Sequence, residues 1–107
     1  MNYNYLKEVA AYIVLQLGGK RFIAMTGAKN MSYGKNGKND PQLKIQVMKG
    51  KNNINSMIIS LNNKDLYDIV FYSVKNCEVK EVSRYDDVYC DMLTDIFETE
   101  TGLKTSL

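Results

Sequence analysis

A chain of 107 residues, 45% of them hydrophobic and 24% charged, is enough for one ordinary domain with its own core, and it excludes a disordered tail, a collagen-like repeat and a coiled coil. The two cysteines, Cys77 and Cys90, have no CxxC spacing and the chain has no histidine, which excludes the usual structural zinc site and removes the commonest general base. The net charge is only +2, no run approaches the ~18 apolar residues that span a bilayer, and the amino terminus lacks a secretion pattern, so the expected location is the cytoplasm, with reduced thiols and no membrane contact.

From about Tyr3 to Leu17, the residues Leu6, Val9, Ala10, Ile13, Val14 and Leu17 recur at offsets of three and four, the stripe of an amphipathic helix. Gly18 and Gly19 end it, because glycine adopts the left-handed conformation that closes a helix without steric cost. Arg21 to Met25 is short and mostly apolar and reads as a strand. Thr26 to Asp40, rich in glycine, asparagine and aspartate, reads as a loop or broad hairpin connection.

Pro41 suits the start of a strand, after which Leu43, Ile45 and Val47 alternate with Lys44, Gln46 and Met48. Met57, Ile59 and Leu61 repeat the pattern, so the two runs are expected to form an antiparallel hairpin with a basic tip over Lys49 to Asn55. Asn62 and Asn63 are placed to cap a short helical turn through Tyr67. Ile69 to Val74 and Cys77 to Val82 form a second hairpin, joined tightly by Lys75 and Asn76.

The last predicted element is a helix starting near Ser83, with Asp86 reaching back as a variant capping box. Its apolar stripe is Tyr85, Val88, Tyr89, Met92, Leu93, Ile96 and Phe97, its acidic face is Asp87, Asp91, Asp95 and Glu98, and Gly102 ends it. The expected fold class is therefore α+β: an antiparallel sheet of four or five strands with an N-terminal and a C-terminal helix, in a single domain over 1–107, with no internal repeat.

The acidic row offers oxygen ligands of the kind that hard cations prefer, but no EF-hand loop accompanies it, and a solvated helix face explains it without a metal. The stretch Gly18-Gly19-Lys20-Arg21-Phe22 with Thr26-Gly27-Ala28-Lys29-Asn30 combines backbone freedom with cations as phosphate sites do. Its spacing is not GxxxxGK[ST], so a turn with flanking surface charge is the plainer reading. No catalytic residue, metal or cofactor is assigned.

Charge is uneven along the chain: residues 1–52 hold nine basic side chains to two acidic, and residues 53–107 hold five basic to ten acidic. Two candidate binding surfaces follow. One is basic: Lys20, Arg21, Lys29, Asn30, Tyr33, Lys44, Lys49 and Lys51, with Tyr33, Phe22 and Tyr72 as stacking faces for single-stranded nucleic acid. The other is the acidic helix face already named, which presents nucleic-acid-like charge to a protein.

Leu17-Gly18-Gly19, Phe22-Ile23-Ala24-Met25-Thr26-Gly27-Ala28-Lys29-Asn30, Asp65-Leu66-Tyr67-Asp68 and Thr101-Gly102-Leu103-Lys104-Thr105 together resemble a family of small, mostly uncharacterised proteins of bacteriophages and other bacterial mobile elements. The likeness runs through most of the chain and departs at Met31, where the pattern has an aromatic. The resemblance implies a non-enzymatic accessory protein in the cytoplasm of a bacterial host. Such a protein acts by stoichiometric binding to a host protein or nucleoprotein complex, as an anti-CRISPR or other anti-defence inhibitor does. Direct nucleic-acid binding through the basic surface is the alternative.

Overall fold

The computed structural model of the protein describes residues 3–105. In chain order these form α1 (Tyr3–Leu17), α2 (Lys20–Thr26), β1 (Lys29–Lys35), β2 (Pro41–Gln46), β3 (Ser56–Leu61), β4 (Tyr67–Lys75), β5 (Glu78–Val88) and α3 (Leu93–Thr101), with single 3₁₀ turns at Lys51–Asn53 and Cys90–Met92. The five strands form one antiparallel meander in the order β1-β2-β3-β4-β5. The fold is α+β, with an N-terminal helix, a five-strand antiparallel sheet and a C-terminal helix.

Strand alternation gives the sheet two unlike faces. Leu43, Ile45, Met57, Ile59, Ile69 and Phe71 point to one side, where α1 crosses β1 and β2 and touches α3. Val9, Ala10, Ile13 and Leu17 of α1 are buried against them, at the offsets expected from the sequence. Gly18 (φ 127) and Gly19 (φ 61) then turn the chain, and the Gly19 amide donates to the Val14 carbonyl at 2.9 Å.

The segment expected as a strand, Arg21 to Met25, is helical instead. Phe22 and Thr26, four apart, are both buried and fall on one helical face, while Arg21, Ile23 and Ala24 stay exposed. The same short sentence of chemistry ends α2 and α3. Thr26 Oγ1 donates to the Phe22 carbonyl and Thr101 Oγ1 to the Phe97 carbonyl, each at 2.7 Å, and Gly27 and Gly102 follow in the left-handed conformation. Phe22 and Phe97 meet edge to face with centroids 5.3 Å apart.

The loop after β2 braces both helix ends. The Met48 amide donates to the Thr26 carbonyl at 2.9 Å, Lys51 Nζ donates to the Thr99 carbonyl at 3.3 Å, and a Cβ added to Gly50 would stand 2.3 Å from the Thr101 carbonyl oxygen. Only glycine allows that approach.

Four further expectations are corrected. The predicted loop Thr26 to Asp40 contains strand β1, whose residues are mostly exposed and which is held by its backbone ladder to β2. Asn62 does not cap a helical turn; its Oδ1 accepts from the amides of Lys64 (2.9 Å) and Leu66 (3.2 Å), closing a tight link into β4. Ser83 to Val88 belongs to β5 rather than to the last helix, which starts at Leu93. The final hairpin turns on Asn76 and Cys77, both at positive φ, one residue later than expected. Both cysteines are exposed.

Candidate functional site

On the side away from the helices, the strand register lays down three cross-strand rows. The central one runs Ser32, Lys44, Ile58, Val70, Arg84; on one side of it lies Gly34, Gln42, Ser60, Asp68, and on the other Lys29, Gln46, Ser56, Tyr72, Glu81. Val70 is buried to 9% exposure yet stands outside the main core, so neighbouring side chains of this open face shelter it. With Ile58 and Tyr72 it floors a trough of about 790 Å³.

Two copies of one loop wall the trough. Between β1 and β2, Asn36 Oδ1 accepts from the amides of Lys38 (2.9 Å) and Asp40 (3.0 Å); between β3 and β4, Asn62 Oδ1 accepts from the amides two and four residues on in the same way. In each loop the fourth residue, Asn39 or Asp65, has positive φ, and the first and last residues close a backbone hydrogen bond of 2.9 Å. Sequence reading missed this echo, although Asn36-Gly-Lys-Asn-Asp40 and Asn62-Asn-Lys-Asp-Leu66 carry it. An asparagine followed by lysine at two and by asparagine or aspartate at three was the available signal.

The far wall is β5, kinked where Asp87 adopts φ 56. A network fixes it: Asn62 Nδ2 donates to Asp68 Oδ1 (3.1 Å) and Asp87 Oδ1 (2.9 Å), the Asp87 amide donates to Asp68 Oδ1 (3.0 Å), and Lys64 pairs with Asp87 at 3.1 Å. Arg84 pairs with Glu81 at 2.8 Å, a contact that holds its guanidinium more firmly charged than usual. The lining as a whole holds Asp40, Asp68, Asp86 and Asp87 against Lys38, Lys64 and Arg84, and Asp86 also lies near enough to Arg84 to favour its charged form. The trough is apolar below and carries mixed charge around its rim.

The sequence-derived basic set is not gathered in one place. Lys20 and Arg21 lie on α2 beside a separate hollow that also takes in Thr94 and Glu98. Lys29 and Asn30 begin β1, where Asn30 Nδ2 donates to Gln46 Oε1 at 2.6 Å. Lys44 stands on the open face, Lys49 follows β2 in the brace loop, and Lys51 lies against the end of α3. Tyr33 faces the helical side, its ring tilted 54° to that of Tyr3 with centroids 5.4 Å apart, and donates to the Tyr3 hydroxyl, a hydrogen bond that pushes the Tyr33 phenol above its usual range.

The acidic set does not share a helix face either. Asp87 is in β5, Asp91 in the 3₁₀ turn, and only Asp95 and Glu98 are in α3. Glu98 clasps the chain that follows α3, accepting from the Thr105 amide (2.8 Å) and hydroxyl (3.2 Å). The charge asymmetry along the chain thus does not become a separation in space: Lys51 and α2's cations sit beside α3, and Lys64 sits beside Asp87.

Compared with known family models, curated proteins and solved structures, the chain matches none of them. Among the described residues no group of three or more histidine, cysteine or acidic side chains is arranged to hold a metal ion, and no helix is long and apolar enough to cross a membrane.

Proposed function

We propose that this protein is a non-enzymatic binding protein that uses the open face of its sheet to occupy a surface on a partner protein. One observation carries the reading: an apolar floor of Ile58, Val70 and Tyr72 lies outside the main core, inside a polar rim built by two matched loops. An apolar centre with a polar rim is the anatomy of a protein interface. The rim holds four carboxylates to three cations, which disfavours a polyanion and so favours a protein partner over direct nucleic-acid binding. With the phage-type resemblance of its sequence, the reading becomes that of an accessory protein of a mobile element. Its partner is a host protein or nucleoprotein complex of nucleic-acid defence, and it acts as a stoichiometric inhibitor of the anti-CRISPR kind.

The test uses the whole chain as bait in a bacterial lysate, beside Ile58→Arg in the trough and Leu15→Arg on the exposed side of α1 (67% exposed). Ile58→Arg is expected to abolish partner capture and Leu15→Arg to preserve it, with both variants melting as the parent does. Capture retained by Ile58→Arg removes the open face from the reading. Expression in a host whose CRISPR nuclease restricts an infecting phage tests the biological role, and restored plating is the expected result. Plating that stays restricted rejects the anti-CRISPR assignment.

A further inference from the structure

We infer that Asn36, in the loop between β1 and β2, is a self-modification site, where the chain's own backbone displaces ammonia from the side-chain amide and leaves a carboxylate in the trough wall. The inference does not depend on what the open face binds. Of all the asparagines in the chain, only Asn36 precedes a glycine. Gly37 is exposed and has nothing within 4 Å of the place a Cβ would take, so no side chain crowds the approach of its nitrogen to Asn36 Cγ. The loop is closed by the Asn36 amide on the Asp40 carbonyl and the Asn39 amide on the Asn36 carbonyl, each at 2.9 Å, and the Gly37 amide joins neither bond. The nucleophile is therefore adjacent and unengaged.

A second observation concerns the group under attack. Asn36 Oδ1 accepts from the Lys38 amide at 2.9 Å and the Asp40 amide at 3.0 Å. As nitrogen adds to Cγ, negative charge develops on that oxygen, and two backbone donors already aimed at it stabilise the charge as an oxyanion hole does. The matched loop supplies the internal comparison. Asn62 Oδ1 has the same two donors, but the next residue, Asn63, carries a side chain, and the leaving nitrogen Nδ2 is tied to Asp68 at 3.1 Å and Asp87 at 2.9 Å. Asn55 is clamped at both side-chain atoms by Val74. Asn36 Nδ2 has no such tie among the described residues.

In the reaction the Gly37 nitrogen gives its proton to hydroxide or water and bonds to Asn36 Cγ, the Cγ–Nδ2 bond breaks, and Nδ2 leaves as ammonia, closing a five-membered succinimide. Water then opens the ring. Attack at the former side-chain carbonyl gives aspartate, and attack at the backbone carbonyl gives isoaspartate, in which the main chain runs through Cγ. One water is consumed and one ammonia released, with no oxidant, reductant or metal. The rim of four carboxylates gains a fifth, and isoaspartate also adds a methylene to the backbone between the end of β1 at Lys35 and the start of β2 at Pro41.

The test incubates the whole folded chain in mildly alkaline buffer, then digests it and maps the peptides by mass, with fragmentation to tell isoaspartate from aspartate. The peptide holding Asn36 is expected to gain about 1 Da, the difference between water taken up and ammonia lost, sooner than the peptides holding Asn55 and Asn62. Isoaspartate is expected to be the larger product, and the rate to rise with pH as the nitrogen loses its proton. Gly37→Ala is expected to fold as the parent does and to slow the conversion at least about tenfold, because the added Cβ crowds the nitrogen and restricts the backbone. A parallel sample unfolded in urea guards against a sequence effect alone. Conversion seen only in urea would mean that the loop shields the amide and would overturn the inference, as would an earlier gain at Asn55 or Asn62, or a Gly37→Ala rate equal to the parent's.

Discussion

The row Tyr33, Leu43, Ile59, Ile69, Tyr85 and the row Ser32, Lys44, Ile58, Val70, Arg84 lie on the same five strands, one residue apart in register. Both have the same backbone ladder, yet the first lies on the helical side in or against the core and the second faces outward over a trough. Burial under the helices makes the first row answer for stability; the second is free to carry a binding surface, because its residues are braced by neighbours rather than enclosed. Adjacent isoleucines in β3 give the sharpest way to break this contrast. Ile59→Ala, at a site 1% exposed, is expected to cost about 2 to 5 kcal/mol in urea denaturation, while Ile58→Ala is expected to cost less than about 1.5 kcal/mol. Equal losses would mean that both faces are core.

Gly50 and Gly37 extend the contrast to the backbone. Alanine at Gly50 places its Cβ against the Thr101 carbonyl, and because the obstacle is backbone the brace loop or α3 must move. The expected loss is about 1 to 3 kcal/mol, seen as a lower melting temperature. Gly37, in the trough wall, has nothing within 4 Å of the added Cβ, and Gly37→Ala is expected to melt within about 0.5 kcal/mol of the parent. A silent Gly50→Ala would show that the loop does not brace the helices.

The covered face was legible in the sequence and the open face was not, for a physical reason. Helix α1 and strands β2, β3 and β4 bury apolar residues at a fixed period, and Val9, Ile13, Leu43, Ile45, Met57 and Ile59 announce it. β1 announces nothing, because only Tyr33 among its residues packs on the core, and it exists through pairing with β2. The end of β5 imitated a helix: Tyr85 pairs with Ile69 and Val88 with Tyr67, so the kink at Asp87 sets three residues on one strand against two on the other. That extra residue turns a strand period of two into an apparent period of three. The seven-residue α2 is too short for periodicity to distinguish it from a buried strand. The acidic face inferred from the false helical register disappeared with it. The trough could not be read from composition, since its walls come from three separate segments brought together by the meander.

Tyr67 adds a pH test of the covered face. Burial, with Tyr12 and Cys90 nearby, pushes its phenol from the usual 10.0 up to about 12, and the side chain is 3% exposed. The unfolded phenol ionises first, so the stabilisation is complete below pH 10 and is lost as pH rises through about 12. The parent is expected to lose up to roughly 3 kcal/mol over that window, beyond whatever Tyr67→Phe loses, in chemical denaturation at stepped pH. Parallel curves for the two proteins would place the phenol in water.

The smallest effect is expected where the contrast is most exposed to challenge, in the network around Asp87. Four polar groups meet there, which could make the trough wall a second source of stability rather than a surface held for binding. Lys64 and Asp87 are 65% and 44% exposed at the side chain, so solvent screens their attraction, and ordering a lysine offsets part of what remains. A double-mutant cycle with Lys64→Met and Asp87→Asn is therefore expected to give a coupling below about 1 kcal/mol, shrinking further in 1 M salt. The two single variants differ in a useful way, because Asp87 also accepts from Asn62, whereas the Lys64 ammonium has no second hydrogen-bond partner among the described residues. Asp87→Asn is expected to be the more costly of the two. A coupling above about 2 kcal/mol would assign the wall to the folding energy of the sheet, and the division between a stabilising face and a binding face would no longer hold.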